Sequence, residues 1–320
     1  MKLWLDRPDI KGSLKDFLRL VTEEFQLGTI QKFSRFPIGY QELNIKLHTS
    51  QGIFVVKIFS REKSLSRVKE NVEGYIEFAK LGVPTPKLRV TKDNEYIFLT
   101  KGKTQEVYTC VMEFFKGKSF LKLPIKNQDI MTISRFMALM HRSALKPAHY
   151  NDTLGIVNFK DVFDKQENIL PQDERKEMRQ ILEEFQVINF SKFHHSVIHG
   201  TLERENVLKD MHGNYCVLDL GCMDYNASVI DTATFLANFT IDMGLEETVL
   251  AIKDVVEEYK KFHYFSREEQ RVLPVLVKTQ YAILVIGMTH AIKAENDTSR
   301  QTRNWLEFGK AGLKKFQKIR

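Results

Sequence analysis

The chain has 320 residues, of which 43% are hydrophobic and 28% are charged. This composition is typical of a globular protein and excludes a repetitive or low-complexity chain. The net charge of +7 fits a surface of scattered lysines, and it also fits attraction for anionic ligands.

The N-terminal residues predict a helix followed by a hairpin. Ser13 is a candidate N-cap for a helix over residues 13–26, where apolar side chains recur at helical spacing. Residues 43–47 alternate between apolar and polar side chains, and residues 53–59 form a second strand after the turn Ser50-Gln51-Gly52. Two strands joined by so short a turn predict a β-hairpin.

A second helix and further strands complete the first part of the chain. The helix is predicted over residues 64–81, because Gly82 ends the apolar stripe and Pro84 and Pro86 prevent its continuation. Three more strands are predicted over residues 87–90, 96–100 and 107–115. This order suits a small antiparallel sheet with one helix packed on it.

After Gly117 the chain becomes mainly helical. Helices are predicted over residues 130–142, 172–185, 245–262 and 266–294, and a strand pair over residues 207–208 and 216–220. We therefore predict an α+β fold with two lobes, a sheet-rich lobe over residues 1–115 and a helical lobe over residues 116–320. Ligands commonly bind in the cleft between two such lobes.

Basic residues cluster only in the C-terminal tail, where their spacing suits the solvated face of a terminal helix. No aromatic-rich basic motif accompanies them, so a nucleic-acid partner is not expected. The longest apolar run, Tyr281–Met288, is too short to cross a bilayer, and the three cysteines form no C-x-x-C pair. We expect a cytoplasmic protein without a membrane partner. The sequence does not indicate an oligomeric state.

One segment carries most of the chemical information. It reads His199-Gly200-Thr201, then Asn206, and Asp219 follows thirteen residues later within an apolar run. The asparagine amide and the isolated aspartate offer the hard oxygen ligands that Mg²⁺ prefers, in the arrangement used to hold nucleotide phosphates. Asn206 and Asp219 are therefore the candidate metal ligands, with Thr201 beside them in the loop.

Lys57 lies inside an apolar strand of the predicted sheet. Its ammonium group can reach solvent from an edge strand, or it can contact the α- and β-phosphates of ATP. The usual carboxylate partner of such a lysine lies on the next helix, where Glu73 is the candidate and Glu70 is expected to be solvated. Gly39 begins a turn that either covers the phosphates or simply closes a hairpin.

Taken together, these motifs resemble the phosphotransferase family of aminoglycoside, choline and homoserine kinases, which has a protein-kinase-like fold. The family loop reads H-G-D-x-x-x-x-N, and Asp219 matches the family's metal-binding aspartate. Asp231, which begins a D-T-A run, matches an aspartate that holds the loop together. The run Met112–Phe115 resembles the hinge, so the backbone near Glu113 and Phe115 would receive adenine. The resemblance implies ATP and Mg²⁺ as cofactors and a small-molecule alcohol as the phosphate acceptor.

Thr201 departs from the family pattern, because the family has an aspartate there that takes the proton of the acceptor hydroxyl. A threonine hydroxyl can accept a hydrogen bond but cannot hold a proton near neutral pH. General-base help is worth about 10² to 10⁴ in rate, so a slow enzyme is expected rather than an inert one. Glu203 or Glu205 could replace the base, although both are expected to be solvated.

Three hypotheses follow. The first is an ATP-dependent phosphotransferase, and the second is a non-catalytic ATP-binding protein that acts as a switch or scaffold. The third, a nucleic-acid-binding module, rests only on the positive charge and the basic tail.

Overall fold

The computed structural model describes residues 8–36 and 42–319. Its N-terminal part is an antiparallel sheet accompanied by two helices, α1 (Leu14–Glu24) and α2 (Leu65–Lys80). The strands are β1 (Ile30–Arg35), β2 (Leu43–Thr49), β3 (Gly52–Ile58), β4 (Leu88–Arg89), β5 (Phe98–Lys101) and β6 (Glu106–Glu113). Their order is β1-β2-β3-β6-β4, with β5 also paired to β6.

The predicted hairpin is confirmed. Strands β2 and β3 pair antiparallel from Leu43 opposite Ile58 to Thr49 opposite Gly52. Every second residue of β2 is buried, as the alternation of apolar and polar side chains requires. Strand β1 was not predicted from the sequence. Its side chains are mostly exposed, so its sequence has no alternation of apolar and polar residues that would indicate a strand.

Helix α1 covers the N-terminal sheet. Ser13 caps the helix, since its hydroxyl accepts a hydrogen bond from the backbone N–H of Asp16 at 3.1 Å. The buried face of α1 packs against β2, β3 and β6 in a core of its own, which includes Phe17, Val21, Ile45, Val56 and Val111.

The C-terminal part is mainly helical. Its helices are α3 (Asn127–Met140), α4 (Phe159–Gln166), α5 (Gln172–Gln186), α6 (Val229–Phe239), α7 (Leu245–Lys260), α8 (Arg267–Lys293) and α9 (Arg300–Phe316). Short strands lie between them, namely β7 (Lys118–Ser119), β8 (His195–Ile198), β9 (Val207–Lys209), β10 (Tyr215–Val217) and β11 (Asp224–Ala227). Strands β10, β9 and β7 form one small sheet, and β11 pairs with β8 in another. The α+β fold, with a sheet first and helices second, is confirmed.

The two parts share a hydrophobic core. The inner face of α2 and the residues Cys110 and Met112 of β6 belong to the same buried cluster as the C-terminal helices. The predicted lobe boundary between residues 115 and 116 cuts through this continuous apolar cluster. The boundary therefore stays a prediction.

Helix α8 is long and apolar enough, by length and composition, to cross a membrane. However, 67% of its apolar window is buried inside the protein, where the helix packs against α4, α5, α6 and α9. The core helix of a soluble protein passes the same test. The absence of a membrane partner stays a prediction.

Candidate active site

The loop between β8 and β9 and the segment after β10 are joined by backbone hydrogen bonds. The side-chain amide of Asn206 donates to the carbonyl of Thr201 at 2.9 Å, which closes the loop on itself. The N–H of Leu218 donates to the carbonyl of Asn206 at 2.8 Å. Because Asp219 directly follows Leu218, the two predicted metal ligands lie in neighbouring backbone segments.

Gly200 is required by the shape of this loop. Its φ of +82° lies in the left-handed region, where L side chains are strained. A Cβ atom at this position would also lie 2.4 Å from the carbonyl oxygen of Cys222. The glycine therefore lets the loop approach the segment that follows Asp219.

Asp231, at the start of α6, holds the loop between β8 and β9 through hydrogen bonds to the backbone of that loop. Its two carboxylate oxygens accept hydrogen bonds from the N–H groups of His199 and Gly200, at 2.6 and 2.8 Å. His141, at the end of α3, contacts the same carboxylate through Nε2 at 3.1 Å. Burial opposes ionisation of Asp231, but these interactions outweigh it and lower the pKa of Asp231 below its ordinary value. Asp231 therefore acts as a buried anchor for the loop.

Lys57 and Asp219 meet in the cleft, as the sequence-based hypothesis requires. Lys57 is 3% exposed, and its Nζ lies 3.2 Å from Oδ1 of Asp219. The positive charge of Lys57 lowers the pKa of Asp219 well below its ordinary value, against the effect of burial. The backbone N–H of Asp219 donates to the hydroxyl of Tyr75 on α2 at 3.0 Å, which ties this aspartate to the N-terminal part.

A second buried carboxylate, Glu42, lies beside Lys57. Its Oε2 is 3.6 Å from Nζ of Lys57, and its Oε1 is 2.5 Å from Nζ of Lys63. Burial alone would lower the pKa of Lys57, but Asp219 and Glu42 together raise it well above its ordinary value. Lys57 and Lys63 thus form a charge cluster with Glu42 and Asp219. Glu42 and Lys63 carry no sequence signal of this role, because neither stands in a periodic pattern.

The structure does not bring Glu73 to Lys57. Glu73 is exposed, whereas Asn71, Val72 and Tyr75 face the interior. At 100° per residue Glu73 points away from that buried face, and Glu42 takes the place that was predicted for it. The expectation that Glu70 is solvated is wrong, because it pairs with Arg67 at 3.1 Å and accepts a hydrogen bond from the N–H of Ala148 at 3.1 Å.

Of the remaining predicted nucleotide-binding residues, Gly39 lies outside the described residues. Glu113 and Phe115 lie at the edge of the cleft. Glu113 ends β6, and its half-exposed carboxylate lies 3.6 Å from Arg89 and 3.8 Å from Lys87. Phe115 follows where the chain passes to the helical part, and a Cβ at Gly117 would lie 2.4 Å from its ring. The connection is thus closely packed around Phe115.

Arg67 of α2 joins the helix to the segment that carries Asp219. It is 9% exposed, and its guanidinium group donates to the carbonyls of Gly221, Met223 and Ala148. Gly74 on the same helix allows close approach, because a Cβ there would lie 2.9 Å from both Leu220 and Met223. Sequence reasoning missed Arg67, because three of its partners are backbone carbonyls far away along the chain.

The loop carries two half-buried carboxyl groups, Glu203 and Glu205, and a third, Asp152, acts on Glu203 from outside the loop. Burial, followed by the negative charges of Glu205 and Asp152, raises the pKa of Glu203 to about 8. Burial also raises the pKa of Glu205 and of Asp152. The expectation that Glu203 and Glu205 are fully solvated is therefore wrong. Thr201 is itself half-buried, and the carboxyl of Glu203 in the same loop is protonated near pH 7.

The donor set suits one hard divalent cation. Among the described residues, neither the amide oxygen of Asn206 nor Oδ2 of Asp219 accepts a hydrogen bond, so both are available as ligands. The described residues contain no group of three or more His, Cys, Asp or Glu that could hold a metal ion. An amide and a carboxylate, completed by phosphate and water, are typical of Mg²⁺ rather than of zinc.

Comparison with known proteins agrees with this geometry. A family model described as the phosphotransferase enzyme family matches residues 32–265. No curated protein sequence matches the chain.

Solved structures show the same fold over nearly the whole chain. Amicoumacin kinase hAmiN, in complex with AMP-PNP, Ca²⁺ and Ami, has a TM-score of 0.72 at 12% identity and covers 97% of this chain and 98% of its own. Spectinomycin phosphotransferase, in complex with ADP and spectinomycin, has a TM-score of 0.68 at 9% identity, with coverage of 95% and 97%. A choline/ethanolamine kinase family protein from Mesorhizobium loti has a TM-score of 0.64 at 14% identity and covers 96% of each chain.

Proposed function

The chain belongs to the phosphotransferase enzyme family, and on that premise we propose that it transfers the γ-phosphate of ATP to a hydroxyl of a small molecule, with Mg²⁺ as the metal. One observation carries the proposal. Lys57, a buried lysine from the sheet, contacts Asp219 from the helical part, and the backbone of Asn206 pairs with Leu218, the residue before Asp219. Phosphoryl transfer depends mainly on such positioning and charge neutralisation.

Each of these residues has a distinct role in the proposal. The ammonium of Lys57 neutralises charge on the nucleotide phosphates, and Glu42, which also pairs with Lys63, holds it in place. Asn206 and Asp219 hold the metal, which would supply positive charge at the phosphates. Asp231 keeps the loop in shape through the N–H groups of His199 and Gly200.

The acceptor end of the site favours a cationic alcohol. Burial raises the pKa of Asp152, Glu203 and Glu205, and the negative charges of Glu205 and Asp152 raise that of Glu203 further. An ammonium group on the acceptor would stabilise the ionised form of these carboxylates. Structural neighbours include an aminopropanol kinase and a choline/ethanolamine kinase family protein, which is compatible with an amino alcohol.

The transfer step lacks a strong base at Thr201. The acceptor oxygen attacks the γ-phosphorus, the bond to the β–γ bridging oxygen breaks, and ADP leaves. Thr201 can accept a hydrogen bond from the acceptor hydroxyl but cannot keep its proton, which passes to solvent or to a phosphate oxygen. We therefore expect slow turnover.

The same residue favours a second candidate function. With Thr201 in place of a base, the protein could bind ATP and Mg²⁺ without turnover and act as a switch or scaffold. Lys57, Asn206 and Asp219 would serve that function equally well.

Single-turnover transfer from γ-labelled ATP separates the two functions. The wild type is tested with amino alcohols, such as choline and ethanolamine, and with neutral alcohols of similar size. Slow transfer is expected, with amino alcohols preferred. Thr201→Asp should raise the rate by about 10² to 10⁴, the usual value of general-base help.

Asp219→Asn is the control, because it keeps the size of the side chain and removes the charge that the metal requires. It should abolish transfer in both backgrounds. ATP binding without transfer in either the wild type or Thr201→Asp would favour the non-catalytic function. If ATP with Mg²⁺ fails to bind at all, both candidate functions are wrong.

A further inference from the structure

The helical part contains a cavity of about 350 Å³ that the proposed reaction does not use. It lies where the segment after α3 meets β8, β11 and the segment after α7. Its lining combines two cations with several imidazoles and hydroxyls, among them Arg142, Lys146, His194, His195, His263 and Ser196. Lys57, Asn206 and Asp219 do not line it, so the cavity is separate from the cleft.

The cavity is lined by basic side chains. Among the described residues, no acidic side chain lines it. Burial, together with the charges of His141 and His194, lowers the pKa of His263 to about 4, and burial also lowers the pKa of His194. The nearest carboxylates already have partners, since Asp231 contacts His141 and Glu269 accepts from the backbone of His194. The imidazoles of His194 and His263 are therefore neutral near pH 7, and the positive charge of the cavity comes from Arg142 and Lys146.

A buried hydroxyl group lies in the wall of the cavity. Ser196 is 3% exposed, and its Oγ has no hydrogen-bond partner within the described residues. Buried polar groups are nearly always paired, so an unpaired hydroxyl in a cavity wall indicates a missing partner. A hydroxyl can donate to an anion.

We propose that this cavity binds a phosphate group, either as free phosphate or as a phosphate monoester. The planar guanidinium of Arg142 suits paired hydrogen bonds to phosphate oxygens, and Lys146 adds a mobile positive charge. Ser196 and the imidazoles supply further donors. The volume is within the range of small-molecule sites, which leaves room for an organic group attached to the phosphate. A metal ion is excluded as the ligand within the described residues, because they contain no suitable group of ligands.

The histidine side-chain resonances of the full-length protein provide the test. Inorganic phosphate and phosphocholine are titrated separately at constant ionic strength, in the absence of nucleotide. The resonances of His194, His195 and His263 should shift and saturate at millimolar concentration or below. His48 and His212, on β2 and on the β9–β10 turn, should not move.

Variants then show whether the cations of the cavity are responsible. Arg142→Gln combined with Lys146→Gln removes two exposed charges and should weaken binding at least tenfold. Lys11→Gln combined with Lys15→Gln removes two exposed charges from the N-terminal part and should leave binding unchanged.

The outcomes distinguish the two sources of the phosphate group. Tighter binding of phosphocholine supports a phosphorylated small molecule, and equal or tighter binding of inorganic phosphate supports phosphate itself. The proposal is overturned if the cavity histidines do not shift, if His48 and His212 shift equally, or if the Arg142 and Lys146 variant binds as the wild type does. None of these results depends on whether the cleft transfers phosphate.

Discussion

At the scale of single residues, the cleft relies on a carboxylate that sequence reasoning did not identify. Glu42 contacts both Lys57 and Lys63, and all three side chains are buried. A buried cation that loses its counter-charge is costly, because it has been taken out of water without compensation. Glu42 is therefore expected to matter for folding as well as for the orientation of Lys57.

We predict that Glu42→Gln lowers the free energy of unfolding by about 3 kcal/mol, since two buried ammonium groups lose a shared partner. Glu73→Gln should change it by less than about 0.5 kcal/mol, because the side chain is exposed. Urea unfolding monitored by circular dichroism measures both variants. Equal effects of the two substitutions would show that Glu42 does not have this role.

Glu203 gives the fold a dependence on pH. Its pKa is raised from 4.5 to about 8, so between these values the folded protein binds more protons than the unfolded chain. The free energy of unfolding should therefore fall as pH rises from 4.5 to 8. Glu203→Gln, which mimics the protonated form, should be more stable than the wild type at pH 8 and similar to it at pH 5.

Urea unfolding at pH 5, 6.5 and 8 tests this prediction. Glu183→Gln, at an exposed position on α5, is the matched control and should follow the wild type at each pH. A wild type and Glu203→Gln that lose stability in parallel would contradict the raised pKa.

At the scale of elements, helix α2 connects the sheet to the segment that carries Asp219. The contacts are specific, because the guanidinium of Arg67 donates to three carbonyls and the hydroxyl of Tyr75 accepts from the N–H of Asp219. The position of Asp219 relative to Lys57 therefore depends on how α2 packs against the sheet and against the segment that carries Asp219.

Arg67→Met should lower the free energy of unfolding by about 3 kcal/mol, because buried carbonyls lose their donor and Glu70 loses its ion-pair partner. Lys69→Met, at an exposed position on the same helix, should change it by less than about 0.5 kcal/mol. Thermal and urea unfolding of the two variants provide the measurement. An Arg67 variant as stable as the Lys69 variant would exclude the bridging role of the guanidinium.

Periodic features at this scale could be predicted from the sequence. The alternation over residues 43–47 indicated β2, and the cap at Ser13 and the glycine after α2 marked helix ends correctly. The placement of Glu73 failed because a small error in the angular position of a helix moves a side chain from the cleft to solvent. The ion pairs of Glu42 and the contacts of Arg67 with distant carbonyls could not be predicted, since they join residues without periodic spacing.

At the scale of the whole molecule, the apolar cluster that spans both parts limits how the protein can be divided. The inward face of α2, with Val68, Val72, Tyr75 and Phe78, belongs to the C-terminal core. A fragment that ends at residue 115 would leave this face without partners. Exposure of so large an apolar face disfavours independent folding.

We predict that residues 1–115, expressed alone, do not fold cooperatively. Circular dichroism and the dispersion of amide proton resonances measure this directly. The full-length chain is the control and should unfold in a sharp transition. A fragment with dispersed resonances and its own sharp transition would show that the N-terminal lobe is an autonomous domain after all.

The contact between Lys57 and Asp219 has a consequence for the order in which ligands enter. An ammonium group 3.2 Å from the aspartate repels any bare divalent cation that approaches it. Triphosphate oxygens would draw the lysine toward themselves and leave the aspartate free for the incoming ion. If the proposed function holds, nucleotide and metal should therefore arrive as one complex, and the bare metal ion should have little affinity for the protein when it comes alone.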